Sequence, residues 1–381
     1  MNGLRATGSY STYSTVILLL VFLQVPLFAQ YKNSLEFSPT YSIKMFTADD
    51  QLSGTAFGWE MIYAVINDEK PKDWQRMLRV QSIDLIINVQ NMRQVNVLTA
   101  ADEVHPLSLD AFALMAGLNI RLTRLGNSEL LFSPAFGVGY LSQTYFTNKN
   151  PLVGGHMNFA SRAALKLAIP ITESISINPG LQVLHYSNAA YRVPNRGLNG
   201  LFFNLGLLHQ LKPFSNRPDT ALRIKKPYPK HSFEFGVAAG RRGIYQSKLG
   251  LHRAALYGGY NYRLNQVLAW STGLDAVYQP TVFDPDDFRR TYQSKASNYE
   301  HWRLGAAVGP DIWMGNLALS VKYGYYLHFN SYHNINTYWT AGFKYTVLPW
   351  LALQAKVFVH QSEADFVGFG LLLNASKGKG L

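Results

Sequence analysis

Phe112-Ala-Leu-Met-Ala-Gly-Leu-Asn-Ile-Arg-Leu-Thr123 alternates with a period of two. Phe112, Leu114, Ala116, Leu118, Ile120 and Leu122 fall on one side, and Ala113, Met115, Gly117, Asn119, Arg121 and Thr123 on the other. In an extended chain successive side chains point to opposite faces, so one face here is wholly apolar and the other small, polar or charged. The pattern recurs in Leu130, Phe132, Phe136, Val138 and Tyr140 against Ser133, Ala135, Gly137 and Gly139, and in Leu317, Leu319, Val321, Tyr323 and Tyr325 against Ser320, Lys322 and Gly324. Arg162, Lys166, Lys322 and Lys344 keep to the faces that carry the glycines. An apolar exterior around a charged interior is the pattern of a transmembrane antiparallel β-barrel; a soluble sandwich would not gather these charges on its core face.

Segments of this kind lie near 34–45, 55–67, 79–92, 108–125, 129–146, 157–171, 173–188 and 197–211, then 232–243, 251–263, 266–279, 301–313, 316–329, 337–347, 350–362 and 365–374. The fold class is therefore all-β, with about sixteen strands inside a range of twelve to sixteen, and an even number is what a closed bacterial barrel requires. Residues 212–231, rich in proline and lysine, read as a linker or long turn between a first barrel half (30–211) and a second (232–381). Leu181 to Leu208 resembles Leu353 to Leu373, a hint of duplication that leaves open one large barrel or two related eight-stranded halves.

Residues 1–29 read as a signal peptide: Arg5 without an acidic residue, then an apolar run from Thr15 to Ala29 broken by Gln24 and Pro26, too short for a membrane anchor. Beyond it no stretch approaches a spanning helix, yet 48% of the chain is hydrophobic and 14% aromatic, which fits amphipathic strands. The absence of cysteine excludes a disulfide scaffold and a thiol nucleophile. A net charge of +12 on an exported membrane protein points to anionic lipid head groups such as the phosphates of lipid A. Nucleic acid is disfavoured, because export removes the opportunity and the basic residues are scattered singly.

Candidate chemistry sits in Leu181-Gln-Val-Leu-His185-Tyr-Ser187-Asn188-Ala-Ala-Tyr-Arg-Val-Pro194-Asn195-Arg-Gly197-Leu-Asn199. His185 and Ser187 share a face with Leu181 and Val183, and Asn199 shares one with Leu201, Phe203 and Leu205, so three hydrogen-bonding side chains stand on the apolar side. Polar groups on such a face need partners or a purpose. A serine nucleophile needs a base, a group that orients the base, and donors for the oxyanion. Ser187, His185 and Asn199 supply the first three if the strands carrying 183–187 and 199–203 pair. Asn188, through its backbone or side chain, is the oxyanion candidate, and Asn195 and Gly197 join it as oxyanion or loop support. In a barrel with periplasmic termini the seventh strand, 173–188, runs outward and brings His185 and Ser187 to the level of the outer leaflet. The bland alternative is an interfacial girdle in which Ser187 merely ends a strand. A second His-x-Ser, His360 and Ser362, falls in line with Gln354 and Lys356 on the lumen face and reads as structural.

His185-x-Ser187-Asn188 followed by Pro194-Asn195-x-Gly197 resembles the lipid A 3-O-deacylase (PagL-type), acyloxyacyl hydrolase-like outer-membrane family over about residues 30–211. The resemblance implies an outer-membrane serine esterase whose Ser187 cleaves the 3-hydroxyacyl ester at the 3-position of lipid A, with His185 as base. Lipopolysaccharide is then the substrate, outer-membrane lipids the surroundings, and a homodimer compatible. The chain departs from the family in carrying Asn199 where its best-known members have Glu, and in the length beyond residue 211. Asn199 is similar instead to the third member of the Ser/His/Asn triad of outer-membrane phospholipase A, which uses calcium, so phospholipid is the alternative substrate. No acidic cluster near the motif argues for calcium, and neither a metal nor a cofactor is expected. A porin or structural barrel is the non-enzymatic alternative, with Arg121, Arg162, Lys166, Lys322 and Lys344 lining a basic lumen.

Overall fold

The computed structural model describes residues 32–47, 52–66, 71–98, 104–211, 228–245, 247–282, 298–331, 334–361 and 363–376. The signal peptide expected over 1–29, most of the 212–231 linker and Ser362 lie outside the described residues. The chain forms two closed antiparallel barrels of eight strands each, so the sixteen strands divide between two closures.

In chain order, the first half contains β1 (Lys32–Phe46), β2 (Leu52–Ser53), β3 (Phe57–Ile66), β4 (Val80–Met92), β5 (Asn96–Leu98), β6 (Val104–Pro106), β7 (Leu109–Leu125), β8 (Ser128–Leu141), β9 (Met157–Pro170), β10 (Ile175–Ser187) and β11 (Leu198–Gln210). The eight long strands form a meander that closes when β1 pairs with β11, from Ser34 opposite Gln210 to Phe46 opposite Asn199. The short β2, β5 and β6 form a separate three-stranded sheet in the loops at the end of the barrel remote from Lys32. The second barrel runs through β12 (His231–Gly243), β13 (Gly250–Arg263), β14 (Leu268–Tyr278), β15 (Trp302–Met314), β16 (Leu317–His328), β17 (Thr337–Leu348), β18 (Leu351–His360) and β19 (Glu363–Ser376). It closes through β12 and β19, with Ser232 opposite Ser376 and Arg241 opposite Val367.

Alternation decides the two faces. Leu181, Val183, Phe203, Leu205 and Leu207 are exposed on the outer wall of the first barrel, as are Leu353, Leu371 and Leu373 on the second. Eight strands leave an interior just wide enough for side chains, and charged pairs fill it. Arg162 Nη2 lies 3.0 Å from Glu60 Oε2, and Glu60 Oε1 accepts from Asn88 and Gln182. Lys166 Nζ donates to Glu36 at 2.9 Å. In the second barrel Lys344 bridges Glu234 and Asp311, each at 2.8 Å, and Lys322 donates to Tyr257 at 2.6 Å. The lysines and Arg162 expected to line a basic lumen are instead buried among these partners, while Arg121 lies near the far end of β7 against Glu129 at 3.2 Å.

Interior acids and bases thus largely offset each other, so the excess positive charge of the chain lies outside the two interiors. Apolar side chains finish the plug beneath the loops of the first barrel, where Met45, Val95, Leu107, Leu152, Leu184, Tyr186, Leu198 and Phe202 form one buried cluster. The barrels meet along their outer walls, with Phe136 and Phe343 rings 4.8 Å apart.

A buried ion pair that loses one partner strands the other charge. Glu60→Ala should destabilise the protein by ~3–5 kcal/mol through unpaired Arg162, read as a shift in the denaturant midpoint of the micelle-embedded protein. The Glu60→Leu/Arg162→Met double variant should recover much of that loss; an unshifted midpoint for Glu60→Ala would contradict the pairing.

Candidate functional site

β10 and β11 pair in the register that the candidate site needs. His185 stands directly opposite Asn199, with Val183 opposite Leu201 below it. Both side chains point to the outer wall, because Leu184, Tyr186, Leu198 and Phe202 of alternate parity are buried in the barrel. His185 Nδ1–H donates to Asn199 Oδ1 at 2.6 Å. That bond fixes the neutral ring with the proton on Nδ1 and leaves the Nε2 lone pair available as a base.

Ser187 follows two residues later on the same face, half-buried, at the last position of β10. Its Oγ accepts from Asn195 Nδ2 at 2.9 Å and from the Ala189 backbone N–H at 3.3 Å. Asn195 is itself held, since its Oδ1 accepts the Asn188 backbone N–H at 3.0 Å, and a bridge to Val153 anchors its backbone to the β8–β9 loop. The structure therefore brings His185 with Asn199 and Ser187 with Asn195, as two hydrogen-bonded pairs side by side on one wall.

Of the two routes open to Asn188 from the sequence, backbone or side chain, only the backbone bears on the site. Its side chain turns into the protein, where Oδ1 accepts the Arg192 backbone N–H at 3.2 Å and closes the turn. Its backbone N–H, not its amide group, bears on the site. Gly197 has φ +73°, and a Cβ there would stand 3.0 Å from His185 Cε1. Glycine thus serves both a left-handed backbone and close contact with the imidazole. Among the described residues no group of three or more His, Asp or Glu side chains is placed to hold a metal ion.

Sequence reasoning grouped Asn195 with Asn188 and Gly197 as oxyanion or loop support, and its amide donates directly to Ser187 Oγ. The same reasoning missed Ala189 and Ala190, two successive left-handed residues at φ +51° and +61° that turn the Ala189 N–H back toward Ser187. Alanine pays for that conformation with about 1–2 kcal/mol per residue, so no propensity announces it. His360 is not part of any such arrangement: its Nε2 is 2.6 Å from the Tyr326 hydroxyl, within an aromatic cluster of the second barrel.

Closed antiparallel barrels with apolar outer walls and charged, filled interiors define a membrane-spanning β-barrel class. Within that class, residues 101–207 match the model of the lipid A 3-O-deacylase (PagL) family, and residues 231–376 match the model described as the acyloxyacyl hydrolase C-terminal domain. The chain belongs to the lipid A 3-O-deacylase (PagL), acyloxyacyl hydrolase-like family. No curated protein sequence matches it. Among solved structures it is similar to the outer membrane enzyme PagL at 14% identity, covering 45% of this chain and 97% of that one with a TM-score of 0.29. It is also similar to the Acinetobacter baumannii outer membrane protein Omp33 at 8% identity, covering 91% of this chain and 98% of that one with a TM-score of 0.15.

Adding a methyl group at residue 197 should push the imidazole off Asn199 without opening the barrel. Gly197→Ala is expected to shift the side-chain nitrogen resonances of His185 in histidine-labelled protein, with the strand content unchanged by circular dichroism. Identical resonances would separate Gly197 from the site.

Proposed function

We propose that the protein is an outer-membrane serine esterase that removes an ester-linked acyl chain from lipid A, with Ser187 as nucleophile, His185 as base and Asn199 as the group that orients it. The carrying observation is the arrangement on the outer wall: an imidazole fixed through Nδ1 by Asn199 at 2.6 Å and a serine two residues along the same face, its Oγ held by an amide N–H at 2.9 Å. Family membership supports the substrate. Burial of Gln182, Leu184 and Tyr186 on β10 and of Leu198, Gly200, Phe202 and Asn204 on β11, which leaves the alternate residues outside, supports attack from the lipid side.

In this mechanism Ser187 Oγ turns from Asn195 toward His185 Nε2 and gives up its proton as it attacks the ester carbonyl carbon. The carbonyl π pair moves onto oxygen, and the oxyanion takes the donors that Ser187 releases, Asn195 Nδ2–H and the Ala189 N–H. Asn188 contributes by keeping the Asn195 amide in place through its backbone. Collapse of the tetrahedral intermediate breaks the ester C–O bond, and the imidazolium gives its proton to the departing sugar oxygen, which leaves as a hydroxyl. Water then hydrolyses the acyl-serine by the same steps in reverse, releasing a 3-hydroxy fatty acid. Asn199 orients the imidazole without the negative charge that a carboxylate would place against the imidazolium, so catalysis relies more on the oxyanion donors.

Strand topology supports a position at the outer leaflet. With both barrel termini on the periplasmic side, the hairpin between β10 and β11 lies at the outer leaflet, where the sugar esters of lipid A reside. Phospholipid is the second reading, favoured by the amide at 199.

Lipid extracted from cells expressing the intact protein should lack one 3-hydroxyacyl group by mass spectrometry, whereas Ser187→Ala should leave lipid A whole. Asn195→Ala should lower turnover by about 10²- to 10³-fold, the usual cost of one oxyanion donor. Lysophospholipid beside unaltered lipid A would transfer the assignment to phospholipid; no Ser187-dependent product in either fraction would refute the esterase.

A further inference from the structure

At the end of the molecule that carries Ser187, the mouth of the second barrel abuts the β10–β11 hairpin. Gly243 N–H donates to Ala190 O at 2.7 Å, Arg192 Nη1 donates to Lys248 O at 3.1 Å, and the Arg241 guanidinium lies over the Tyr191 ring. Beside these contacts is a cavity of about 210 Å³, lined by Val193 of the hairpin and by Arg242, His252, Arg253 and Gln279 of the second barrel. Val193 is two residues from Asn195.

The lining states what the cavity can take. Gln279 is 3% exposed, and its Nε2 has no hydrogen-bond partner among the described residues, an amide donor buried at the cavity wall. Arg253 is likewise buried, with one end of its guanidinium on Asp365. Asp365 is shared: Arg242, Arg253 and Arg303 all pair with it. The remaining carboxylate, Glu363, lines the same cavity and is held by Arg242 at 3.2 Å. Three guanidiniums therefore face two carboxylates. An unpaired donor in a buried, net positive wall suits an oxyanion with several acceptor oxygens.

We propose that this cavity binds a phosphate monoester of the glycolipid whose acyl ester is presented to Ser187, so that the second barrel sets the substrate's position relative to the first. The choice of lipid rests on the esterase reading; the choice of phosphate rests on the cavity alone. The tie between the hairpin and β12 through Gly243 and Ala190 keeps the two sites in fixed relation.

The test is binding by the full-length Ser187→Ala protein in detergent micelles, which reads affinity without turnover. Probes are bisphosphorylated lipid A, the same lipid with its phosphates removed, and inorganic phosphate. Removing the phosphates should weaken binding about tenfold, the scale of one well-made charge-assisted contact. Gln279→Glu, which sets a carboxylate of the same size in the wall, should erase most of that difference. Gln279→Leu, which deletes the donor without adding charge, serves if the first variant does not fold. A full tenfold preference retained in the folded variants would overturn the proposal, as would equal affinity for the two lipids. Inorganic phosphate bound as tightly as the phosphorylated lipid would overturn the lipid assignment in favour of free phosphate. Product release by the protein with Ser187 intact is measured in parallel. Intact lipid A there, with Gln279-dependent phosphate preference preserved, would remove the esterase and uphold the cavity.

Discussion

Everything in the first barrel depends on the Arg162–Glu60 pair and the polar side chains that complete it. Eight strands enclose a space that side chains fill, and the sequence fills it with charges rather than hydrocarbon. Each charge must then find a partner, because an unpaired ion in that interior is costly. Glu60 meets Arg162, Asn88 and Gln182, while Glu36 meets Lys166 and Asn178. An interior so committed is built for packing among the described residues, and the hydrogen-bonded pair of His185 and Asn199 stands instead on the outer wall.

That constraint explains why the register between β10 and β11 matters more than the His-x-Ser spacing. A slip of β10 by one residue would turn His185 and Ser187 into the packed interior and leave Asn199 alone on the outer wall. The second His-x-Ser shows the contrast, for His360 joins the Tyr326 hydroxyl among aromatic rings of the second barrel.

Much of this was legible in the sequence because alternation is a strong signal when both faces are chemically distinct. All sixteen long strands follow from it, as does the sharing of one face by His185, Ser187 and Asn199. Closure was less legible. Whether β11 returns to β1 or continues into a wider sheet depends on pairing between segments about 170 residues apart, which periodicity does not encode. The small sheet of β2, β5 and β6 was missed because two- and three-residue strands carry no period. At the site, the role of Asn195 was hidden because it depends on a loop that folds back through left-handed Ala189 and Ala190, residues with no turn signature. The cavity between the barrels was invisible for a similar reason, since Val193, Arg253 and Gln279 converge only after both barrels close.

The central claim, that His185 activates Ser187 on the outer wall, is tested most directly by trapping the nucleophile. The detergent-solubilised protein would be treated with a long-chain alkyl fluorophosphonate, digested, and its peptides sequenced by mass spectrometry. The account predicts a single phosphonylated residue, Ser187, with labelling lost in His185→Ala and retained in a His360→Ala control. Labelling at another serine, or labelling of Ser187 that persists without His185, would contradict it.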